Sequence, residues 1–331
     1  MRTTTFDSPL FIVGRPRSGT KLLRTLLNEH PQVAIPISET NMIPTMVTRF
    51  GNPPQLDIAE RFDSFYRKFR QTSFFEYRRI DGVILEKSQL AESADLTSWS
   101  SIFEAILKFY APKDVSSDVV WGDKSPSYLS HMLLLKSLFP TARFLHIIRD
   151  PRDQCYSAKK AWGKDLRRSA EVWRSEIQRA REVGKQLGSD YKEILFESLL
   201  GDPESIVREI CEYLELPFDP RMMELSVSHE DRGDAAGELR IVSGNQRKYL
   251  EALSPATLKR VEEITLPLAT TLGYKAHLAV RYKPLNRLER NMLALQDGLS
   301  MTWFYIQDKG IRQGLHYFFH KLSRATAKSL R

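Results

Sequence analysis

The stretch Leu10 to Leu27, LFIVGRPRSGTKLLRTLL, limits what this chain can fold into more than any other. Four apolar residues, Leu10 to Val13, have the pattern of a buried parallel strand, Gly14 and Gly19 bracket a tight turn, and Lys21 to Leu27 resumes with helical period. Strand, tight loop and helix in that order aim backbone N–H groups and the positive end of a helix dipole at one point. Arg17, Ser18, Thr20 and Lys21 add charged and hydroxyl donors. The expectation is a site for phosphate or sulfate.

Gly14 and Gly19 have the spacing of a nucleoside triphosphatase loop, but that loop needs Lys and then Ser or Thr after its second glycine. Here Thr20 precedes Lys21. The hydroxyl that would hold Mg²⁺ is displaced, which weighs against ATP hydrolysis and leaves a kinase or other phosphotransferase as the alternative.

Carboxylates and bases recur where later strands should end. Val33 to Ile37 is read as a short second strand interrupted by Pro36, and Glu39 follows it, placed to act as a base or to cap a helix from Asn41. Val119 to Trp121 is read as a third strand ending in GDKSP, with Lys124 able to reach an anion and Ser125-Pro126 opening a helix. Arg143 to Ile148 is the strongest strand, and RDPRDQCYS follows it. Arg149 stands at the strand end, Pro151 starts a helix, and Ser157 lies two turns along, which suits a second phosphate. Arg152 and Asp153 have the positions of a pair or a cap.

Between these motifs the pattern is helical. GNPP at Gly51 to Pro54 breaks the chain, and Ile58 to Phe74 reads as one aromatic-studded helix with a core role. Ser88 to Ser101 reads as a polar loop, the place expected for an acceptor lid, and Ser101 to Tyr110 as a helix. Helices are expected at Asp165 to Leu187, Pro203 to Leu214 and Ser254 to Gly273, with a strand over YKEILFESLL from Tyr191. Asp231 to Asn245, with Arg240 and then Arg247, reads as a loop closing on a ligand.

The 331 residues allow one large domain with an appendage, here 1–280 followed by 281–331. From Arg281 onward ten bases face three acids, a net +7 of the chain's +8. With the excess in the tail rather than the body, a nucleic-acid-binding surface is not expected. Leu285, Leu288, Met292, Leu295, Leu299 and Ile306, then Ile311, Leu315, Phe318, Phe319 and Leu322, give the tail an amphipathic helical pattern. Packing on the body or on a second subunit in a homodimer is the expected role, with peripheral contact to an anionic membrane as the alternative. No stretch approaches the roughly 20 apolar residues of a membrane span, and the N-terminus is too polar for a secretory signal. Two cysteines, Cys155 and Cys211, both in expected helices, imply no disulfide framework or metal site, so a cytoplasmic protein is expected.

Taken in order, PRSGT with its helix and HP, ETNMIP, GDKSP and RDPRDQCYS resemble the sulfotransferases that use 3′-phosphoadenosine 5′-phosphosulfate (PAPS), most nearly the tyrosylprotein-type and related bacterial group. The resemblance runs from about Leu10 to Tyr274. It implies an α/β, P-loop-like three-layer fold with a central mostly parallel sheet flanked by helices; the helical extension after about Arg281 has no counterpart in it. It assigns Arg17, Ser18, Gly19, Thr20 and Lys21 to the phosphosulfate, Arg149 and Ser157 to the 3′-phosphate, Glu39 to the base and Lys124 to the active-site lysine. Arg240 and Arg247 match a late cofactor loop only loosely. Asn41 stands where the tyrosylprotein enzymes carry arginine.

The implied reaction is in-line sulfuryl transfer from PAPS to a hydroxyl or amine, with PAP (3′-phosphoadenosine 5′-phosphate) as product and no metal. Glu39 would take the proton, and Arg17 and Lys124 would steady the charge. Carbohydrate, lipid, small phenol and peptide acceptors all remain open. A non-catalytic membrane-associated or nucleotide-sensing protein on the same fold is the alternative from another class.

Overall fold

The computed structural model describes residues 6, 8–115, 119–228 and 237–311, except the side chains of 308 and 309. The chain divides into two compact units, the first built mainly from residues 1–148 and 179–231, the second from 149–178 and 244 onward.

The first unit holds a five-stranded sheet: β1 (Leu10–Gly14), β2 (Val33–Ala34), β3 (Val120–Lys124), β4 (Arg143–Ile148) and β5 (Tyr191–Leu195). All neighbours are parallel and the order is β2-β3-β1-β4-β5, so β1 sits at the centre. Burial on both faces explains the unbroken apolar run of β1, whose five residues are all buried. One polar strand depends on a glycine: a Cβ on Gly122 would lie 1.9 Å from the Leu10 carbonyl oxygen, so only glycine lets β3 close on β1. That pairing sets Gly122 opposite Leu10 and Lys124 opposite Ile12.

Helices and a short 3₁₀ turn complete that framework. Helix α1 (Thr20–Glu29) follows the phosphate loop and buries Leu22, Leu23, Leu26 and Leu27 against the sheet core. Between β2 and β3 the chain forms α2 (Ile43–Phe50), α3 (Ala59–Arg70), α4 (Ser73–Ile80), α5 (Lys87–Ser93) and α6 (Trp99–Phe109). The expected single aromatic helix is two, because Thr72 caps a new start by accepting from the Phe75 N–H. The aromatic residues do form a core: Phe65 lies 5.7–6.5 Å, ring centre to ring centre, from Phe50, Phe62, Phe69 and Trp99. The expected polar loop at Ser88 to Ser101 contains α5, opened by a capping box between Glu86 and Gln89.

After β3 a 3₁₀ turn at Pro126–Ser130 precedes α7 (Met132–Leu138). Helix α8 (Pro151–Trp162) begins at Pro151, as expected, and α9 (Leu166–Leu187) leads back to β5. Strand β5 stops at Leu195, where the expected strand gives way to α10 (Phe196–Gly201), followed by α11 (Pro203–Tyr213).

The second unit gathers α8, the first part of α9, α12 (Tyr249–Ala252), α13 (Pro255–Thr271) and α14 (Arg287–Lys309). Its core joins Cys155, Leu166, Ala170, Val261, Ile264, Leu285 and Leu293. Both cysteines of the chain are buried and neither is in a disulfide. In α14 only part of the expected apolar stripe is covered. Leu285, just before the helix, and Leu293 are buried, whereas Leu288, Met292, Leu295, Leu299 and Trp303 are more than half exposed. Arg290 reaches Glu171 at 2.6 Å. The tail residues after Ile311, with Leu315 to Leu322, and residues 231–236 of the expected closing loop lie outside the described residues. Among the described residues no helix is long and apolar enough to cross a membrane.

Candidate active site

The phosphate loop turns on two residues in left-handed backbone, Arg17 (φ 72°) and Gly19 (φ 95°). Gly19 is required twice over, since a Cβ there would also run into the Phe196 ring at 2.3 Å. The Ser18 N–H donates to the Arg15 carbonyl at 3.1 Å and closes the turn. Gly19 is the N-cap of α1 and supplies no side chain to it, and the first turn carries no acid. The positive end of α1 is therefore open to an anion. Ser18 is fully buried, and its hydroxyl has no hydrogen-bond partner among the described residues. An oxyanion held by the turn would supply that partner, so the loop fits the phosphosulfate end of a nucleotide. Thr20 is buried, and Arg17 and Lys21 are half-buried.

Glu39 stands five residues beyond β2, in an irregular segment anchored from α1. Asn28 exchanges two 2.9 Å hydrogen bonds with the Ile35 backbone, and Arg24 donates to the Ile37 carbonyl. Helix α2 starts later than expected, at Ile43 with Met42 as N-cap, so Glu39 caps nothing. Instead its Oε1 accepts from Lys124 Nζ at 2.5 Å and its Oε2 accepts from Asn41 Nδ2 at 3.2 Å. Asn41, in left-handed backbone at φ 50°, also accepts from Ser127.

Asp123 and Lys124 do not leave β3, as expected from sequence; they are its last two residues and are buried. Burial holds the Lys124 ammonium below the usual lysine range. Glu39 opposes that shift, while Arg24 and Lys21 are close enough to add to it. A carboxylate about one-third exposed, with a donor on each oxygen, is held in one orientation, which is what a general base needs. A buried cation beside it can neutralise an anion wherever one is bound.

In the second unit, Arg149 is buried and donates to the Asn245 carbonyl at 2.7 Å. Ser157 is half-buried on α8, in the helix opened by Asp150 and Pro151. Arg152 and Asp153 have the structural roles expected of them. Arg152 pairs with Asp150 at 2.6 Å and with Glu262 at 2.8 Å. Asp153 accepts from the backbone N–H groups of Arg247 and Tyr249 at 2.5 and 3.1 Å, which fixes the chain after Asn245 onto α8. The Arg247 side chain is exposed, with its backbone at φ 59°. Arg240, in the first unit, is exposed and paired with Glu238 at 3.3 Å.

The first unit thus brings together Glu39, Lys124 and the helix that opens at the phosphate loop. The sequence pattern did not point to Arg24, Asn28 or Thr40, whose contacts fix the Glu39 segment.

A family model described as the sulfotransferase family matches residues 9–220, a span holding the phosphate loop, Glu39, Lys124, Arg149 and Ser157. The chain belongs to the sulfotransferase family. Among curated relatives, a protein-tyrosine sulfotransferase 1 of Danio rerio is 25% identical over 82% of this chain and 74% of its own length. A protein-tyrosine sulfotransferase A of Caenorhabditis elegans is 28% identical over 67% of this chain and 53% of its own length, so the match takes in only about half of that relative. Among solved structures, the sulfotransferase domain of the Synechococcus PCC 7002 olefin synthase aligns with a TM-score of 0.52 at 21% identity, covering 81% of this chain and 94% of that one. This last likeness speaks for the fold. The three-layer α/β architecture expected from the motifs is that of a sulfotransferase, and the phosphotransferase reading raised by the glycine spacing is displaced.

Proposed function

We propose that this sulfotransferase moves the sulfuryl group of PAPS to a hydroxyl or amine of an acceptor. The observation that carries the reading is the pairing of Glu39 with buried Lys124 beside a phosphate loop whose Ser18 hydroxyl has no partner among the described residues. PAPS supplies an activated sulfuryl group: the acceptor atom bonds to sulfur, the bond from sulfur to the phosphate oxygen breaks, and PAP leaves with that electron pair. Glu39 takes the acceptor's proton. Lys124 and Arg17 balance negative charge on the transferring group and the leaving phosphate. The loop N–H groups, Ser18, Thr20 and Lys21 hold the 5′ end.

Arg149 and Ser157 are assigned to the 3′-phosphate, with Arg247 held close to α8 through its backbone. Arg240, paired with Glu238 in the first unit, has the weakest support as a donor ligand. The named relatives act on protein tyrosine. Here the residue two beyond the base is the neutral Asn41, which favours an acceptor without the negative charge an arginine would attract. Incubation with ³⁵S-labelled PAPS and separate pools of glycans, lipids, phenols and peptides tests the reading. Label transferred to one pool supports it, and no transfer to any pool would count against it.

A further inference from the structure

Beneath the Glu39–Lys124 pair lies a set of buried hydroxyls around one carboxylate. Thr40, Asp123, Ser125 and Tyr128 are each no more than 2% exposed. Thr40 Oγ1 donates to Asp123 Oδ2, and the Tyr128 hydroxyl, 2.6 Å from Thr40 Oγ1, donates to it in turn. Tyr128 accepts from the Ile43 N–H at 3.1 Å. On the other side Ser125 Oγ donates to the two Asp123 oxygens at 3.1 and 3.2 Å and accepts from the Asn41 N–H at 3.3 Å. Two directed chains therefore start on backbone N–H groups of 41 and 43 and end on Asp123. Both tie the segment after Glu39 to the end of β3.

A carboxylate in this place is costly. Burial pushes Asp123 up to about 6 even though Thr40, Ser125 and Lys124 all favour its charge. A neutral amide would fill the same space, but it could accept on one oxygen only, and two hydroxyl donors converge here. Networks of this kind hold one geometry firmly when every member is satisfied.

We infer that Thr40 and Asp123 are positioning residues that set the distance between Glu39 and Lys124. Each is the chain neighbour of one member of the pair, so the hydrogen bond between them spaces the two peptides that carry the base and the cation. The inference rests on the roles proposed above for Glu39 and Lys124, and adds what keeps them in register. Donor binding, which belongs to the loop at Gly14 to Thr20, is left outside the clamp.

Thr40→Val keeps the side-chain shape and removes both hydroxyl contacts, while Thr40→Ser keeps the hydroxyl. With reacting groups displaced by a fraction of an ångström, Thr40→Val should lower kcat by about 10–100-fold with KM for PAPS within about twofold. Thr40→Ser should restore most of the loss. Equal losses in kcat and PAPS binding, an unaffected kcat, or a serine variant as poor as the valine one would overturn the inference. If Thr40→Val does not fold, Tyr128→Phe removes the next link and is read by the same split.

The carboxyl carbon of Glu39, followed by ¹³C NMR, gives a reading without turnover. Its chemical shift should move in Thr40→Val, and an unchanged shift would defeat the clamp. Wild-type protein that transfers no label to any acceptor would instead defeat the sulfuryl-transfer reading, leaving the NMR comparison to judge the clamp alone.

Discussion

Lys124 Nζ lies 2.5 Å from Glu39 Oε1 although 85 residues separate them in the chain. The lysine is almost wholly buried and the glutamate about one-third exposed, so the pair presents its acidic member outward and its cation from below. Such an arrangement leaves the carboxylate reachable by an incoming hydroxyl while the ammonium stays shielded from solvent.

Replacing Glu39 by Gln removes the proton acceptor; the one remaining oxygen can still accept from Lys124, while the amide nitrogen cannot accept from Asn41. A fall in kcat of about 10²–10⁴-fold is expected, with PAP affinity little changed. Steady-state kinetics and calorimetry on the same preparation check it. A variant within twofold of wild type would remove Glu39 from the base role.

The second anion site makes a prediction about nucleotides. PAP should bind more tightly than 5′-AMP, which offers nothing to Arg149 and Ser157. One charge-assisted contact contributes roughly 1.5–3 kcal/mol, or about a 10–100-fold difference in Kd. Equal affinities by calorimetry would sink the 3′-phosphate assignment.

Asp123 should leave a signature in the pH dependence of stability. Its folded pKa of about 6 lies above the ordinary 3.8, so between those values the native state holds a proton that the unfolded state has released. The contribution is full below pH 4 and is lost as pH rises to 6, roughly 3 kcal/mol over the window. Denaturant unfolding of wild type and Asp123→Asn at pH 4, 5 and 6 should show wild type losing ground to the variant by up to that amount. A constant difference would mean that Asp123 titrates normally.

Gly122→Ala puts a methyl group where the Leu10 carbonyl oxygen lies 1.9 Å away. Neither partner is a flexible side chain, so β1 and β3 must part, at a cost of about 3 kcal/mol or more. Thermal unfolding should report the loss, and activity should fall with it because Lys124 is two residues on.

In α14, Leu293→Ala should cost about 2–4 kcal/mol because Leu293 is in the second core, whereas Leu295→Ala, at an exposed position, should stay within about 0.5 kcal/mol. Similar effects at the two positions would contradict the burial of this helix.

Strand β4 and the start of helix α8 were legible to the residue, since a buried apolar run and an N1 proline are local signals. Other features failed for physical reasons. Helix α5 buries only Leu90, so it has no apolar period to read, and its start depends on a glutamate cap. Strand β3 carries Asp123 and Lys124 inside it because their partners come from the distant segment 39–40, which no pattern within GDKSP reveals. The anion loop, Glu39 and Lys124 could be named from the chain as chemistry. The side chains that hold them in place, Asn28, Thr40 and Tyr128, look like ordinary helix and loop residues until the contacts are seen.

The five helices between β2 and β3 form a block whose entrance is marked by Glu39 and whose exit strand ends at Lys124. The two residues proposed for the reaction thus flank a cassette, with the aromatic cluster around Phe65 as the cassette's own internal support. Exchange of that block between relatives, cut after Asn41 and rejoined at Val120, would leave the proposed proton acceptor and its cation on the recipient, so a change of acceptor preference in such a chimera could be traced to the block itself.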